Sequence, residues 1–409
     1  MNKLKYYVFV MLLYLFILQN PLQRTSILRY LDEIVALLSI PALLYYLINK
    51  KRKFVFRKNN LSFFMFQVTL IVVGLYSSYT LKYQPINIVF SDLLLVNKFF
   101  MAYIFSRLFF YDDFIDNFRD KIYIHVKVIV IALLILTIFN YVFAIWPASY
   151  RFSIMTNKLF YEHPTYLASI CIFLISLLFL IADKNISRYN FLFLILILIL
   201  ISTFRFKAIG ACLFIVYLAK NIKKNFKKIS ISKITIIGFL LVLLCWDQIS
   251  YYYIDLNSSA RNVLTETSFK IAKDYFPLGT GFGTYGSYFS GVSYSPVYYM
   301  YNISHVYGIS KNYSSFLSDT FWPMVLGQFG IIGLFCFIML LKNIFSRIQN
   351  SFDIHNVHIY ISKMICFIYL LISSTSESAY VNSLSIPLAI IIGIKYNKIG
   401  ADTNEKKLN

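Results

Sequence analysis

The chain has 409 residues, of which 59% are hydrophobic and only 14% charged. A soluble domain carries about a quarter charged residues, and the apolar excess here lies in runs long enough to cross a bilayer rather than in one large core. The net charge of +21 does not point to nucleic acid, because the basic residues form short clusters between apolar runs, as they do in membrane proteins with positive cytoplasmic loops.

At the start, Lys3 and Lys5 followed by Tyr6–Leu18 imitate a signal peptide. The chain runs on through Gln19, Asn20, Pro21 and Leu22 with no small-x-small cleavage site, so an uncleaved first helix is expected. Apolar runs then predict twelve spans, at 5–19, 27–48, 61–80, 86–110, 122–146, 164–182, 188–203, 205–220, 231–250, 323–342, 359–375 and 383–396. The expected fold class is an all-α polytopic membrane protein, one integral membrane domain over 1–409.

Charge orients these spans. One dense basic cluster is Lys50, Lys51, Arg52, Lys53, Arg57 and Lys58; the other is Lys220, Lys223, Lys224, Lys227, Lys228 and Lys233. Both belong on the cytoplasmic side, and twelve crossings place them there together with both termini. The tail, with Lys395, Lys398, Lys406 and Lys407, agrees. The loop at Ser373–Asn382 has no Lys or Arg and falls on the opposite face. Consistency requires residues 188–220 to make two short crossings, each about 16 residues or roughly 24 Å, around a turn at Thr203–Lys207. A re-entrant or broken pair buried in protein is the alternative.

Charges in or beside spans are costly and mark candidate sites. Arg205 and Lys207 follow the apolar run Asn190–Thr203, either as side chains snorkelling at an interface or as a cationic site for phosphate, which suits the planar fork of Arg. All five cysteines, Cys171, Cys212, Cys245, Cys336 and Cys366, fall in apolar runs without Cys-x-x-Cys or Cys/His spacing, so they read as small buried hydrophobes and no metal is expected.

The long interruption from Gln248 to Trp322, rich in Gly, Tyr and Ser, is predicted to be an extracytoplasmic loop between spans nine and ten. A loop of this length is usually functional. Within it Ser258 or Ser259 can cap a helix that Arg261 opens and Pro277 ends, with Val263, Leu264, Ile271, Ala272 and Tyr275 on one face. Such a helix could lie in the membrane interface. Gly281, Gly283 and Gly286 form a formal G-x-G-x-x-G, but neither strand nor cytosolic setting surrounds it, so the glycines are expected to serve positive φ and close backbone approach instead. Tyr285 and Tyr298 are candidates for stacking on sugar rings, among tyrosines that an aromatic belt also explains. His163, His305 and Asp319 are candidate general bases. No G-x-S-x-G elbow supports a hydrolase triad.

Taken in order, these motifs resemble a known family. An Arg follows a short apolar span (Ser202-Thr203-Phe204-Arg205). A long outer loop carries an Arg-started helix leading into Asp274, Pro277-Leu278-Gly279 and Gly281-Phe282-Gly283. The next span opens with Gly327, Gly330 and Gly333. The pattern resembles the O-antigen ligase and polymerase superfamily of bacterial surface polysaccharide assembly, over roughly Glu162 to Leu341 in motif order. Ligases of that superfamily carry a His-Asn pair shortly before the closing glycines, where this chain reads Ser318-Asp319. The stretches Tyr294–Tyr298 and Ser318–Trp322 look more like Wzy-type polymerases of O-antigen, capsule or exopolysaccharide repeat units.

The resemblance implies a metal-independent glycosyltransferase without cofactor in the bacterial plasma membrane. It would act on polyprenyl diphosphate-linked oligosaccharide, beside a chain-length regulator and a flippase. It also implies that Arg205, Arg261 and Lys207 hold the diphosphate, and that His305 or Asp319, with His163 as outsider, activates the acceptor. An O-antigen ligase acting on a lipid A–core acceptor and a flippase of the lipid-linked sugar are the competing readings. The missing internal repeats and the long loop speak against the flippase.

Overall fold

The computed structural model describes residues 2–22, 27–48, 58–110, 113–146, 150–151, 154–182, 186–225, 259–353 and 356–395. Helical elements occupy every predicted span except 231–250, which lies outside the described residues. The helices are α1 (Asn2–Leu22), α2 (Leu31–Leu37), α3 (Ser39–Ile48), α4 (Lys58–Leu81), α5 (Ile86–Phe109), α6 (Asp113–Phe143), α7 (Pro164–Ile181), α8 (Asn190–Ser202) and α9 (Phe206–Asn225). They continue with α10 (Ala260–Asp274), the short α11 (Tyr288–Val292) and α12 (Val297–Met300), then α13 (Trp322–Asn350), α14 (Val357–Ser373) and α15 (Ser385–Gly393). Among the described residues one antiparallel ladder pairs Tyr150 with Met155 and Arg151 with Ile154.

Among the described residues, six helices are long and apolar enough to cross a membrane: α1, α4, α5, α6, α7 and α13. How they bury their apolar side chains fits a bilayer. On α4 Leu61, Met65, Val68, Val72, Tyr76 and Tyr79 are all exposed. They recur at three- and four-residue intervals, so they form one stripe along the helix. In water such a stripe would cost free energy; against hydrocarbon it costs none. By contrast α7 is buried along its whole length, because α6, α8, α14 and α15 surround it. The sequence has no mid-span ionic group among its expectations, yet Lys98 in α5 pairs with Asp32 of α2 inside the bundle, and Gln19 of α1 donates to the same carboxylate at 2.8 Å. This contact clamps three helices where an isolated charge would be expensive.

The described part of the interruption, from residue 259 on, folds into a compact unit. Leu264, Ile271, Tyr285, Val297, Tyr298, Ile309 and Leu317 share a small second core. Ser259 caps α10, accepting from the Asn262 backbone N–H at 3.2 Å, and the helix ends before Pro277 as the sequence predicts. The interfacial placement of α10 does not hold: its Leu264 and Ile271 face are fully buried in the second core, and the helix packs on α13.

The unit is sewn onto the bundle by backbone. Helix α13 is kinked at Gly330 (φ 60°, ψ −160°). Such a break takes carbonyls out of the helical ladder. The Gly327 and Gln328 carbonyls accept from Thr280 N–H at 3.1 Å and Gly281 N–H at 2.8 Å, while Ile332 N–H donates to the Pro277 carbonyl at 3.3 Å. Gly281 must be glycine for two reasons. Its φ is +94°, and a Cβ there would stand 2.6 Å from the Ser78 backbone nitrogen of α4. One residue on, Phe282 N–H donates to Ser78 Oγ at 2.9 Å, and Gly283 N–H donates to the buried Asp92 carboxylate of α5 at 2.7 Å. The sequence expectation of positive φ and close approach is met here.

Candidate functional site

Five chain segments meet at one end of the bundle, and each delivers a charged or titratable side chain. His163 is the N-cap of α7, with Pro164 as its first helical residue. Its Nε2 lies 2.9 Å from Arg205 Nη2, and its Nδ1 lies 2.8 Å from Thr165 Oγ1. A guanidinium only donates, so Nε2 accepts here, and as the cap of α7 the His163 Nδ1 accepts from the Thr165 backbone N–H at 3.3 Å.

Arg205 occupies the break between α8 and α9. Phe204 has φ +47°, and the Arg205 carbonyl accepts from Ala208 and Ile209 N–H at 2.8 and 3.0 Å, starting α9. Asn157 pins this break. Its N–H donates to the Ser202 carbonyl at 2.9 Å, and its side-chain amide reaches Thr137 Oγ1 at 3.3 Å. The predicted turn at Thr203–Lys207 is therefore present.

Lys207, in the first turn of α9, forms an ion pair with Glu377, which lies in the turn after α14. Arg261, in the first turn of α10, donates to Asp319 at 3.2 Å, just ahead of α13. Two further bonds draw these segments together: Ser378 Oγ donates to the Ser318 carbonyl at 2.6 Å, and Trp322 Nε1 donates to Ser374 Oγ at 3.1 Å. Arg205 and Arg261 are both within electrostatic range of Lys207, and Lys207 and Glu377 both act on Asp319. All of them form one cluster.

Its electrostatics favour an anion. Arg205, Lys207 and Arg261 stand at or beside helix N-termini, where the macrodipole already contributes positive potential. Cations are disfavoured in such positions, and an anion is favoured by both sources together. The side chains of Arg261 and Asp319 stay about a quarter to a third exposed, at 25% and 34%, so a ligand can reach them. Burial holds the Asp319 carboxyl above the usual carboxylate range, while the Arg261 guanidinium beside it pulls the other way. A carboxylate so placed is a stronger base than one in water.

Not every predicted residue joins the cluster. His305 is exposed on the second-core unit and takes part in none of the hydrogen bonds and ion pairs described above. Tyr285 and Tyr298 are fully buried, which corrects their expected role in stacking on sugars. The Tyr285 hydroxyl donates to the Leu264 carbonyl at 2.6 Å, and the Tyr298 hydroxyl accepts from Gly286 N–H at 2.9 Å. With both ring faces in the core, neither offers a surface to a ligand. Exposed aromatic rings in the same unit belong to Tyr288, Tyr299, Tyr307 and Tyr313.

Glu377 is the site residue that sequence reasoning missed. Its signal was available: it is the lone charge in an otherwise uncharged loop that faces the same way as Arg205 and Arg261. Four of the cysteines, Cys171, Cys212, Cys336 and Cys366, are buried free thiols as expected; Cys245 lies outside the described residues. No family model matches this chain, and no curated protein matches it.

Proposed function

We propose that the protein is a polymerase of lipid-linked oligosaccharide repeat units, moving a growing glycan from its polyprenyl diphosphate onto the next lipid-linked unit. The observation that carries this reading is the convergence of Arg205, Lys207 and Arg261 with Asp319, at one end of an apolar bundle. Lipid diphosphate chemistry needs cations where the leaving group gathers charge. It needs a base beside the attacking hydroxyl. Both must sit where a lipid tail can remain in the bilayer.

In the proposed step the acceptor hydroxyl oxygen attacks the anomeric carbon of the glycan on the carrier. The bond from that carbon to the diphosphate oxygen breaks, and its electron pair leaves with the diphosphate. Arg205 and Lys207 stabilise the developing charge, and Arg205 exchanges its His163 partner for a phosphate oxygen. The hydroxyl proton passes to Asp319, which Arg261 orients. His305, exposed and away from these groups, takes no part.

The test is a surface glycan ladder from cells lacking the protein, beside cells restored with wild type, Arg205→Ala or Arg261→Ala. The polymerase reading expects glycan stopping at a single repeat unit in the deletion and restoration by wild type alone. Full-length polymer stranded on the carrier would instead indicate a ligase, and single units confined to the inner leaflet a flippase. Unchanged polymer in both Arg variants would remove the assigned roles.

A further inference from the structure

Close to Asp319 the second-core unit carries an aromatic surface. Tyr307 and Tyr313 are 71% and 43% exposed, with ring centroids 4.8 Å apart and planes tilted by 31°. Both pack edge-on against Phe316, at 5.9 and 6.0 Å. The backbone holds the three rings together: Tyr313 N–H donates to the Ser310 carbonyl at 3.1 Å, and Phe316 N–H donates to the Gly308 carbonyl at 3.0 Å. The chain then turns into the charged cluster, where Asp319 N–H donates to the Phe316 carbonyl at 3.2 Å. Three residues reach at most about 10 Å, so the rings and the Asp319 carboxylate are neighbours on the scale of an oligosaccharide. These surroundings are not those of a membrane belt. Along α4, where the protein meets hydrocarbon, exposed tyrosines alternate with exposed Leu, Met and Val. Between residues 301 and 317 no aliphatic side chain is exposed, and the exposed neighbours include Lys311, Asn312 and Ser315. An apolar surface rimmed by polar groups marks an interaction site.

We propose that Tyr307, backed by Tyr313, is the platform on which a sugar ring of the acceptor glycan stacks; the identity of that glycan rests on the polymerase reading above. With Tyr313 against one face, 71% exposure leaves the other face of Tyr307 open. The face of a π-system is negative. A pyranose presents C–H bonds made partly positive by the neighbouring oxygens, so it fits that face better than an anion or a lipid tail does. Lys311 and Asn312 at the rim supply hydrogen bonds for hydroxyls at the ring edge. Asp319 takes the acceptor's proton in the proposed step, so the ring on Tyr307 belongs to the acceptor, behind the attacking hydroxyl. Stacking there is the same before and in the transition state, and it acts on binding rather than on the chemical step.

The test is saturation-transfer difference NMR on the full-length protein in deuterated detergent. The probe is the oligosaccharide released by mild acid from the lipid-linked repeat units of the producing cell. Saturation of the protein's aromatic protons is expected to pass to the C–H protons of one pyranose face, and Tyr307→Ala to bind the probe about tenfold more weakly. Tyr307→Trp, which keeps a π face, is expected to restore binding. Tyr299→Ala removes another exposed ring of the same unit and is expected to leave the signal unchanged. In elongation of lipid-linked units, Tyr307→Ala should raise KM for the acceptor about tenfold with kcat nearly unchanged. No transfer from wild type, or equal binding by wild type and Tyr307→Ala, overturns the platform even where wild type elongates lipid-linked units. Tyr307-dependent binding by a protein that elongates nothing keeps the platform and sinks the polymerase reading instead.

Discussion

The helical bundle holds its cations in two different ways. At one end Lys207 and Arg261 are each faced by a carboxylate, and Arg205 by an imidazole, on turns and helix starts drawn from distant parts of the chain. Within the bundle, Lys98 and Asp32 pair between helices with both side chains almost fully buried, and Gln19 donates to the same carboxylate. Partly exposed ion pairs contribute little to stability, so under the proposed function each acid keeps its cation in place until a phosphate arrives. The buried pair has no such freedom, because removing either partner strands a charge in an apolar setting. The contrast separates charges that a ligand can reach from charges that hold helices together.

The comparison breaks first at Arg205. Arg205→Ala should lower polymerisation by about 10²-fold, measured by elongation of lipid-linked repeat units with purified protein. Asp319→Asn is expected to cause a loss of similar size.

Next in size is Gly281→Ala. A Cβ there meets the Ser78 backbone, and the backbone stands at φ +94°, so the substitution should cost about 2 kcal/mol, read as a lower midpoint of thermal unfolding. A smaller effect sharpens the picture at the partly exposed pairs. Asp319 must be ionised to take a proton, so activity should rise with pH through its elevated pKa. Arg261 favours the ionised form; removing it in Arg261→Ala should move the acid limb of the pH–rate profile to higher pH. Smallest of all, His305→Ala should change elongation by less than about twofold, as expected for an exposed group outside the chemistry.

Local features of this structure were legible in the sequence because their causes are local. Ser259 capping α10, the helix end ahead of Pro277, the break before Arg205 and the positive-φ glycines each depend on a few adjacent residues. What escaped depended on contacts between distant segments. Nothing near Glu377 announces Lys207, and nothing near Asp32 announces Lys98, because each ion pair forms only when helices dock. The tyrosines misled for another reason. Composition cannot separate a ring at a membrane surface from one in a small core, and Tyr285 and Tyr298 differ from Tyr288 and Tyr299 only in where the chain turns them. The wider catalytic reading came from motif order, and its residues proved to lie together apart from His305 and the two buried tyrosines.

The kink of α13 bears on how the protein is made. The helix cannot satisfy its own backbone around Gly330, and the N–H groups of Thr280 and Gly281 and the carbonyl of Pro277 complete it. Those groups precede Trp322 in the chain, so the ribosome delivers the partners before the helix that needs them. A chain severed between Asp319 and Trp322 and expressed as two halves would release the second half with broken hydrogen bonds in an apolar setting, where each unsatisfied group is costly. Biogenesis of this helix thus has a direction, and the loop acts upon it as a template already in place.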